Sequence, residues 1–182
     1  MKGIFSIILF IISFGLNAQT DLDSLLFDKV NEYRESNGLN SLAWDSNVYK
    51  MANHHSVYLK ILNQDSTKSI ITHLEDVDVE EFEEMLYPND RFKKYVNNKF
   101  DFRGENVGGV LKNRKTSNEK LVDLIFESWK TSSEHNQLML NPKTKFGACS
   151  VEVLMKKFYI TYKGKRILAP MKKCFATLNF HY

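Results

Sequence analysis

The chain has 182 residues, and its 43% hydrophobic and 26% charged side chains are ordinary for a globular protein, which excludes wholesale disorder. Its 25 basic and 22 acidic residues give a net charge of +3 at pH 7. That charge is too small to indicate nucleic acid as a partner, and the sequence has no arginine stripe with interleaved aromatic residues.

The N-terminus has the order of a secretory signal. Lys2 gives a positive start, an apolar run follows from Ile4 to Phe14, and a small residue, Ala18, stands where a signal peptidase would cut. The run is shorter than the roughly 20 residues that span a membrane. We therefore predict a signal peptide over residues 1–18 and a secreted or periplasmic protein with no transmembrane segment after its removal. An uncleaved membrane anchor is the alternative.

Three helices are predicted in the chain that follows. Apolar residues between Asp23 and Asn37 fall on one helical face, and a second amphipathic pattern begins after Asp45 and runs to Leu62. The third helix spans Ser117 to Trp129, with Ser117 as the candidate N-cap.

An acidic stretch lies between the second and third helices. Residues 75–84 contain seven acidic side chains, and a basic stretch follows from Arg91 to Lys99. We interpret the region as a solvated, partly helical excursion whose halves attract each other. A weak divalent-cation site is the alternative, although the spaced ligands and turn glycine of a calcium loop are missing.

Strands are predicted after Pro142, where β-branched and aromatic residues dominate. They span Phe146–Leu154, Lys157–Tyr162 and Cys174–Phe180, and the first two are close enough to form a hairpin. No repeat or Pro/Gly/Ser-rich linker divides the chain, so residues 19–182 are predicted to form a single α+β domain. Cys149 and Cys174 lie in strands of an exported chain, which permits a disulfide between them or two buried thiols.

Three polar residues are candidate site residues. His73 and His135 each stand at an element boundary, and Glu105 lies in a glycine-flanked segment, residues 104–109, that fixes the direction of its carboxylate. His54 and His55 are neighbours within the second helix, where packing or solvent exposure is the expected role.

The order of several short motifs resembles the CAP superfamily (cysteine-rich secretory proteins, antigen 5 and pathogenesis-related 1), also called SCP-like domains. The first motifs are Val30–Arg34, Gly38–Asp45 and Ile71–His73. The Gly-Glu-Asn-Val sequence at 104–107 and a tryptophan six residues before His135 follow them. The short C-terminal tail resembles that of the bacterial-type domains.

The resemblance implies an α–β–α sandwich with a small central antiparallel sheet and a cleft that holds two histidines and two acidic residues. His73, Glu105 and His135 match three of these positions, and the fourth falls on Ser132. Two histidines and a glutamate are suitable Zn²⁺ ligands, so the same three residues are a candidate metal site.

Three functions are consistent with this pattern. The one we favour is a secreted, non-catalytic recognition module whose His/Glu cleft binds a lipid, sterol or peptide, and in which a divalent metal such as zinc is optional rather than required. A zinc-dependent hydrolase using the same cleft is the second, and a purely structural polar network is the third. Whether the protein is an enzyme, which ligand it takes and its oligomeric state stay open at this point.

Overall fold

The computed structural model describes residues 21–65, 69–75, 85–96 and 101–182. The predicted signal peptide and residues 76–84 of the acidic stretch lie outside these ranges. The described helices are α1 (Asp21–Ser36), α2 (Ser46–Leu62), α3 (Pro88–Tyr95), α4 (Asn118–Thr131) and α5 (Ser133–Met139). The described strands are β1 (Ala43–Trp44), β2 (Phe102–Asn113), β3 (Phe146–Tyr162) and β4 (Lys165–His181).

The strands form one sheet in the order β1-β3-β4-β2. Strands β3 and β4 pair antiparallel along their whole length, from Phe146 opposite His181 to Tyr162 opposite Lys165, and β2 pairs antiparallel with the other edge of β4. The two-residue β1 pairs parallel with β3, so the sheet is mixed rather than purely antiparallel.

Helices cover both faces of the sheet. Alternate residues of β4, from Cys174 to Phe180, join the core formed by α1 and α4, whereas Phe175 packs with Tyr58 and Leu59 of α2 on the opposite face. Helix α3 joins the α2 side through Phe92. The predicted α+β sandwich is therefore confirmed, because the strand period of two distributes apolar side chains to both helical layers.

The helix starts follow from their caps. The Asp45 carboxylate accepts hydrogen bonds from the backbone N–H groups of Asn47 and Val48, at 2.7 and 3.1 Å, and so begins α2. Ser117 caps α4 as the sequence predicts, by accepting from the Lys120 N–H at 3.2 Å. None of the helices in the described residues is long and apolar enough to cross a membrane.

The predicted hairpin between residues 146–154 and 157–162 is wrong. These residues form the single strand β3, and the hairpin joins β3 to β4 through Lys163 and Gly164, both at positive φ (49° and 74°). Two consecutive positive-φ residues are typical of the tight turn that suits twisted antiparallel strands. Pro170 of β4 directly precedes Met171, the first residue of β4 that pairs with β2. It therefore lies where that edge of β4 has no partner strand, a position that tolerates proline.

The Cys149–Cys174 disulfide that the sequence permits is not formed. Both cysteines are buried free thiols, and Cys149 lies opposite Leu178 whereas Cys174 lies opposite Val153. Four residue positions therefore separate the thiols along the strands, roughly 13 Å at ~3.3 Å per residue. A disulfide requires Cα atoms within about 7 Å. The alternative of two buried thiols is the one observed.

The close approach of α4 to β2 yields a stability prediction. A Cβ added to Gly108 would lie 2.8 Å from Nε1 of Trp129. We expect Gly108→Ala to lower the free energy of unfolding by about 1–3 kcal/mol, because the core has no room for another carbon. In the Trp129→Phe background, which removes the clashing nitrogen, the same substitution should cost less. Urea unfolding of the two single variants and the double variant measures this, and additive losses would contradict it.

Candidate functional site

Glu105 is placed by the first residues of β2. Gly104 adopts a φ of +146°, a conformation that side chains other than glycine's rarely take, and a Cβ there would lie 2.7 Å from Leu138 of α5. Strand β2 then turns Glu105 towards the α2/α3 layer, where its side chain is only 2% exposed. The tight glycine backbone predicted around this carboxylate is therefore part of a strand, and it also seats α5.

Arg91 of α3 is the main partner of Glu105. Its guanidinium is fully buried, and its Nη2 donates to both carboxylate oxygens of Glu105 at 3.0 and 2.9 Å and to the backbone oxygen of His73 at 3.1 Å. Its Nη1 lies 3.3 Å from Oε1 of Glu75, which is also fully buried. One guanidinium therefore bridges two buried carboxylates and the loop that carries His73.

Glu75 also binds the two adjacent histidines of α2. Nε2 of His54 lies 3.1 Å from one carboxylate oxygen, and Nδ1 of His55 lies 2.8 Å from the other. The second ring nitrogen of His54 faces the Tyr95 hydroxyl at 2.9 Å, and that of His55 faces the carbonyl oxygen of Thr72 at 2.8 Å. The predicted roles of packing and exposure are thus incomplete, because both rings orient a buried carboxylate.

Arg91 supplies the positive charge that the two buried carboxylates need. Its guanidinium lies 3.3 Å from Glu75 and 2.9 Å from Glu105. Buried ions are tolerated when they are paired, so this cation allows both carboxylates to lie in the interior. The His55 ring is held between the Glu75 carboxylate and the carbonyl oxygen of Thr72.

The carboxyl groups are held in their ionised form. Burial by itself raises the pKa of Glu75 and of Glu105, but hydrogen bonds from the histidines and the charge of Arg91 outweigh it, so both pKa values lie below the ordinary 4.5. Burial, and then the charge of Glu75, raise the pKa of the Tyr95 hydroxyl, which keeps that group protonated.

His73 and His135 lie on the outer side of this network. Nδ1 of His73 is 3.1 Å from Oε1 of Glu105, and the His73 side chain is 47% exposed, so its ring reaches solvent. His135 is half-buried on α5, where its backbone oxygen accepts from the Asn106 amide at 3.1 Å. Burial, and then the nearby His73, lower the pKa of His135, which favours its neutral form. The structure thus joins His73 to Glu105 directly, whereas His135 is linked to them only through the electrostatic effect of His73 on its ring.

Ser132 contributes less than its neighbours. It lies between α4 and α5 as the shared cap position, and its side chain makes no capping hydrogen bond to α5. Glu134 acts on the His135 ring only through its charge. Ser132 therefore does not supply the family's fourth acidic side chain. Among the described residues, Glu134 does not take its place through a hydrogen bond to His73, Glu105 or His135.

The trio does not fit a metal ion as it stands. In the described part of the chain, no group of three or more His, Cys, Asp or Glu side chains is arranged to hold one. Glu105 would have to supply a carboxylate oxygen, yet both of its oxygens accept hydrogen bonds from the Arg91 guanidinium. The positive charge of Arg91 at this carboxylate would repel a zinc ion.

Replacing Arg91 tests whether the network depends on it. We expect Arg91→Met to lower the free energy of unfolding by about 3–5 kcal/mol, because two carboxylates remain buried with too little positive charge. Arg91→Lys should recover only part of the loss, since an ammonium cannot bridge both carboxylates as a planar fork does. Lys94→Met, at an exposed position of the same helix, is the control and should change stability by less than about 0.5 kcal/mol. Equal effects of the two methionine variants would contradict this role.

The lowered pKa values predict sensitivity to acid. A carboxyl group whose pKa is lower in the folded chain than in the unfolded chain stabilises the fold above its unfolded value, and this contribution is lost as pH falls. We expect the free energy of unfolding to decrease below about pH 4.5, the ordinary carboxyl value. Glu105→Gln should show a shallower decrease from neutral pH to about pH 3 in urea titrations. An unchanged slope would show that Glu105 does not contribute to it.

Comparisons with known proteins agree with this fold. The family model described as "CAP: Cysteine-rich secretory protein family" matches residues 27–162. An outer surface protein from Borrelia burgdorferi shares the fold, with a TM-score of 0.53 and 16% identity over 90% of this chain and 95% of that one. An extracellular SCP-domain protein from Bacillus anthracis gives a TM-score of 0.48 and 18% identity, over 87% of this chain and 40% of that one. No curated protein matches the sequence. Because the family model covers most of the sequence, the chain belongs to the CAP family of cysteine-rich secretory proteins.

Proposed function

We propose that this chain is an exported, non-catalytic recognition module, and that His73 and His135 are the part of the cleft that meets its ligand. The observation that carries the proposal is the pairing of Glu105 with Arg91, which makes the carboxylate unavailable as a base, while the His73 side chain beside it is 47% exposed. His135 is half-buried on α5. Export is supported by the signal-like residues 1–18, by the secretory family and by the name of the Borrelia relative, an outer surface protein.

The state of Glu105 argues against the hydrolase alternative. A general base works best with a pKa near the operating pH and with a lone pair directed at the water that it activates. The pKa of Glu105 lies below 4.5, and its oxygens accept hydrogen bonds from Arg91 and His73. Such a carboxylate is a weak base at neutral pH, so a water-activating role is disfavoured.

The surroundings of His73 favour a ligand with both polar and apolar parts. Ile71 and Leu74 flank it in sequence and are 39% and 44% exposed, which is high for side chains of their size. An imidazole beside two exposed aliphatic groups can hydrogen-bond a hydroxyl or carboxyl group while the aliphatic groups cover hydrocarbon. A lipid, a sterol or an apolar peptide has this combination.

The structural-network alternative accounts for one part of the site. Arg91, Glu75, Glu105 and His55 are buried and mutually bonded, as a stabilising network would be. A network that served only stability would not need an exposed imidazole, however, and the His73 side chain is 47% exposed. We therefore assign stability to the buried members and recognition to the two histidines.

The test is a binding measurement with defined probes: a fatty acid, a sterol sulfate and a mixture of unstructured peptides. We expect one probe class to bind without turnover. His73→Ala and His135→Ala should each weaken that binding by about 2- to 12-fold, the worth of one hydrogen bond at ~0.5–1.5 kcal/mol. Gln137→Ala, at an exposed position of α5, is the matched control and should bind normally.

Three outcomes would overturn the proposal. The first is zinc binding in calorimetry that the double variant His73→Ala/His135→Ala abolishes. The second is turnover of peptides or esters that Glu105→Gln abolishes. The third is an unchanged affinity for every probe in both histidine variants, which would leave the stabilising network as the whole role of the site.

A further inference from the structure

The outer part of the β3–β4 hairpin extends beyond the rest of the sheet. The last pair between β2 and β4 joins Asn113 to Met171, so residues 157–170 form a two-stranded ribbon, here called the arm, with its turn at Lys163 and Gly164. Six residue pairs give it a length of roughly 20 Å. Phe158 near the base of the arm is fully buried, but most of the other side chains of the arm are exposed. Core packing therefore accounts for the base of the arm and not for its outer part.

The arm is strongly basic. Residues 153–182 contain seven basic and no acidic residues, whereas residues 1–152 contain 18 basic and 22 acidic residues. The net charge of +3 is therefore the sum of +7 on residues 153–182 and −4 on residues 1–152. None of the ion pairs within the described ranges uses Lys157, Lys163, Lys165 or Arg166 of the arm. Their charges are thus available to an anionic partner.

The arm also exposes apolar and aromatic side chains. Tyr159, Tyr162, Ile167 and Leu168 are 39–56% exposed. The Arg166 guanidinium lies 4.4 Å from the centre of the Tyr159 ring, and Nζ of Lys163 lies 5.5 Å from that of Tyr162. Directly paired residues share a face, so Tyr159, Arg166 and Leu168 lie on one face of the ribbon, and Tyr162, Lys165 and Ile167 lie on the other. Cations and apolar side chains therefore occur together on both faces of the arm, a combination that suits the boundary between lipid headgroups and acyl chains.

We propose that the arm docks this protein on an anionic phospholipid bilayer. Its four cations would lie among the lipid phosphates, where each basic residue contributes about 1 kcal/mol. The apolar and tyrosine side chains of the tip would enter the headgroup layer. A soluble polyanion matches the charges equally well, but it leaves those side chains in water, and this difference favours the bilayer. Insertion only as far as the headgroup layer also suits the backbone of the arm. The unpaired strand edges remain hydrated among the headgroups, whereas they would lose their water in the hydrocarbon core.

Docking in this way leaves the candidate site accessible. Glu105 pairs with Asn179 near the far end of β4, nine positions from Pro170, which is roughly 30 Å along the strand. A membrane at the arm therefore does not cover His73. The inference is independent of the proposed recognition function, and the two are tested with different variants.

The test is co-sedimentation of the full mature chain with vesicles of phosphatidylcholine, with and without phosphatidylglycerol. We expect binding only to the anionic vesicles. The triple variant Lys163→Gln/Lys165→Gln/Arg166→Gln should bind about 100-fold more weakly, since ~1 kcal/mol per cation is about fivefold in affinity. Its matched control, Lys50→Gln/Lys130→Gln/Lys143→Gln, removes the same charge from exposed positions outside the arm and should bind within a few-fold of the parent.

Two further measurements separate lipid docking from simple charge attraction. Tyr162→Ser/Leu168→Ser keeps every cation and should still weaken vesicle binding, while binding to dextran sulfate should not change. Spin-labelled lipid should broaden the backbone amide signals of residues 157–170 selectively in NMR spectra. Equal binding of the two triple variants, equal binding to both vesicle types, or dextran sulfate binding without vesicle binding would each overturn the proposal.

Discussion

The site depends on the ion pairs that the Arg91 guanidinium forms with Glu75 and Glu105. Two carboxylates from separate segments are buried beside it, and burying either one without a cation costs several kcal/mol. By donating to Glu105 and to the backbone of His73, and by forming an ion pair with Glu75, Arg91 connects α3, the loop before it and the first residues of β2. The position of the exposed imidazole is therefore a consequence of charge balance in the interior.

This arrangement separates stability from recognition within one cluster. The inner members, Arg91, Glu75 and Glu105, are buried and held in ion pairs, so they set the geometry without being available to a ligand. The outer members, His73 and His135, lie nearer to solvent, where a ligand can reach their rings. The arm lies at the other end of β4, so a contact there and a contact at the imidazoles do not compete for surface.

Much of this can be predicted from the sequence, and the failures have identifiable causes. The ordered motifs indicate the sandwich and the trio, because helix caps and periodicity are local. The charge pattern places Arg91 and Glu75 in a solvated stretch, since their burial depends on partners far along the chain. Strand β2 escapes prediction because Gly104 and Gly108 suggest turns, whereas these glycines admit Leu138 and Trp129 against the backbone. The prediction breaks β3 at Met155 and Lys156, but the strand continues through both residues, which pair with Lys172 and Met171 of β4.

The two free thiols have a consequence for how this fold is made. No covalent step links β3 to β4, since Cys149 and Cys174 are buried apart from each other within the α1/α4 core. The domain can therefore mature without an oxidant or a disulfide isomerase. Although its family is named for cysteine-rich members, this chain relies on packing and buried charge where such members would use cross-links.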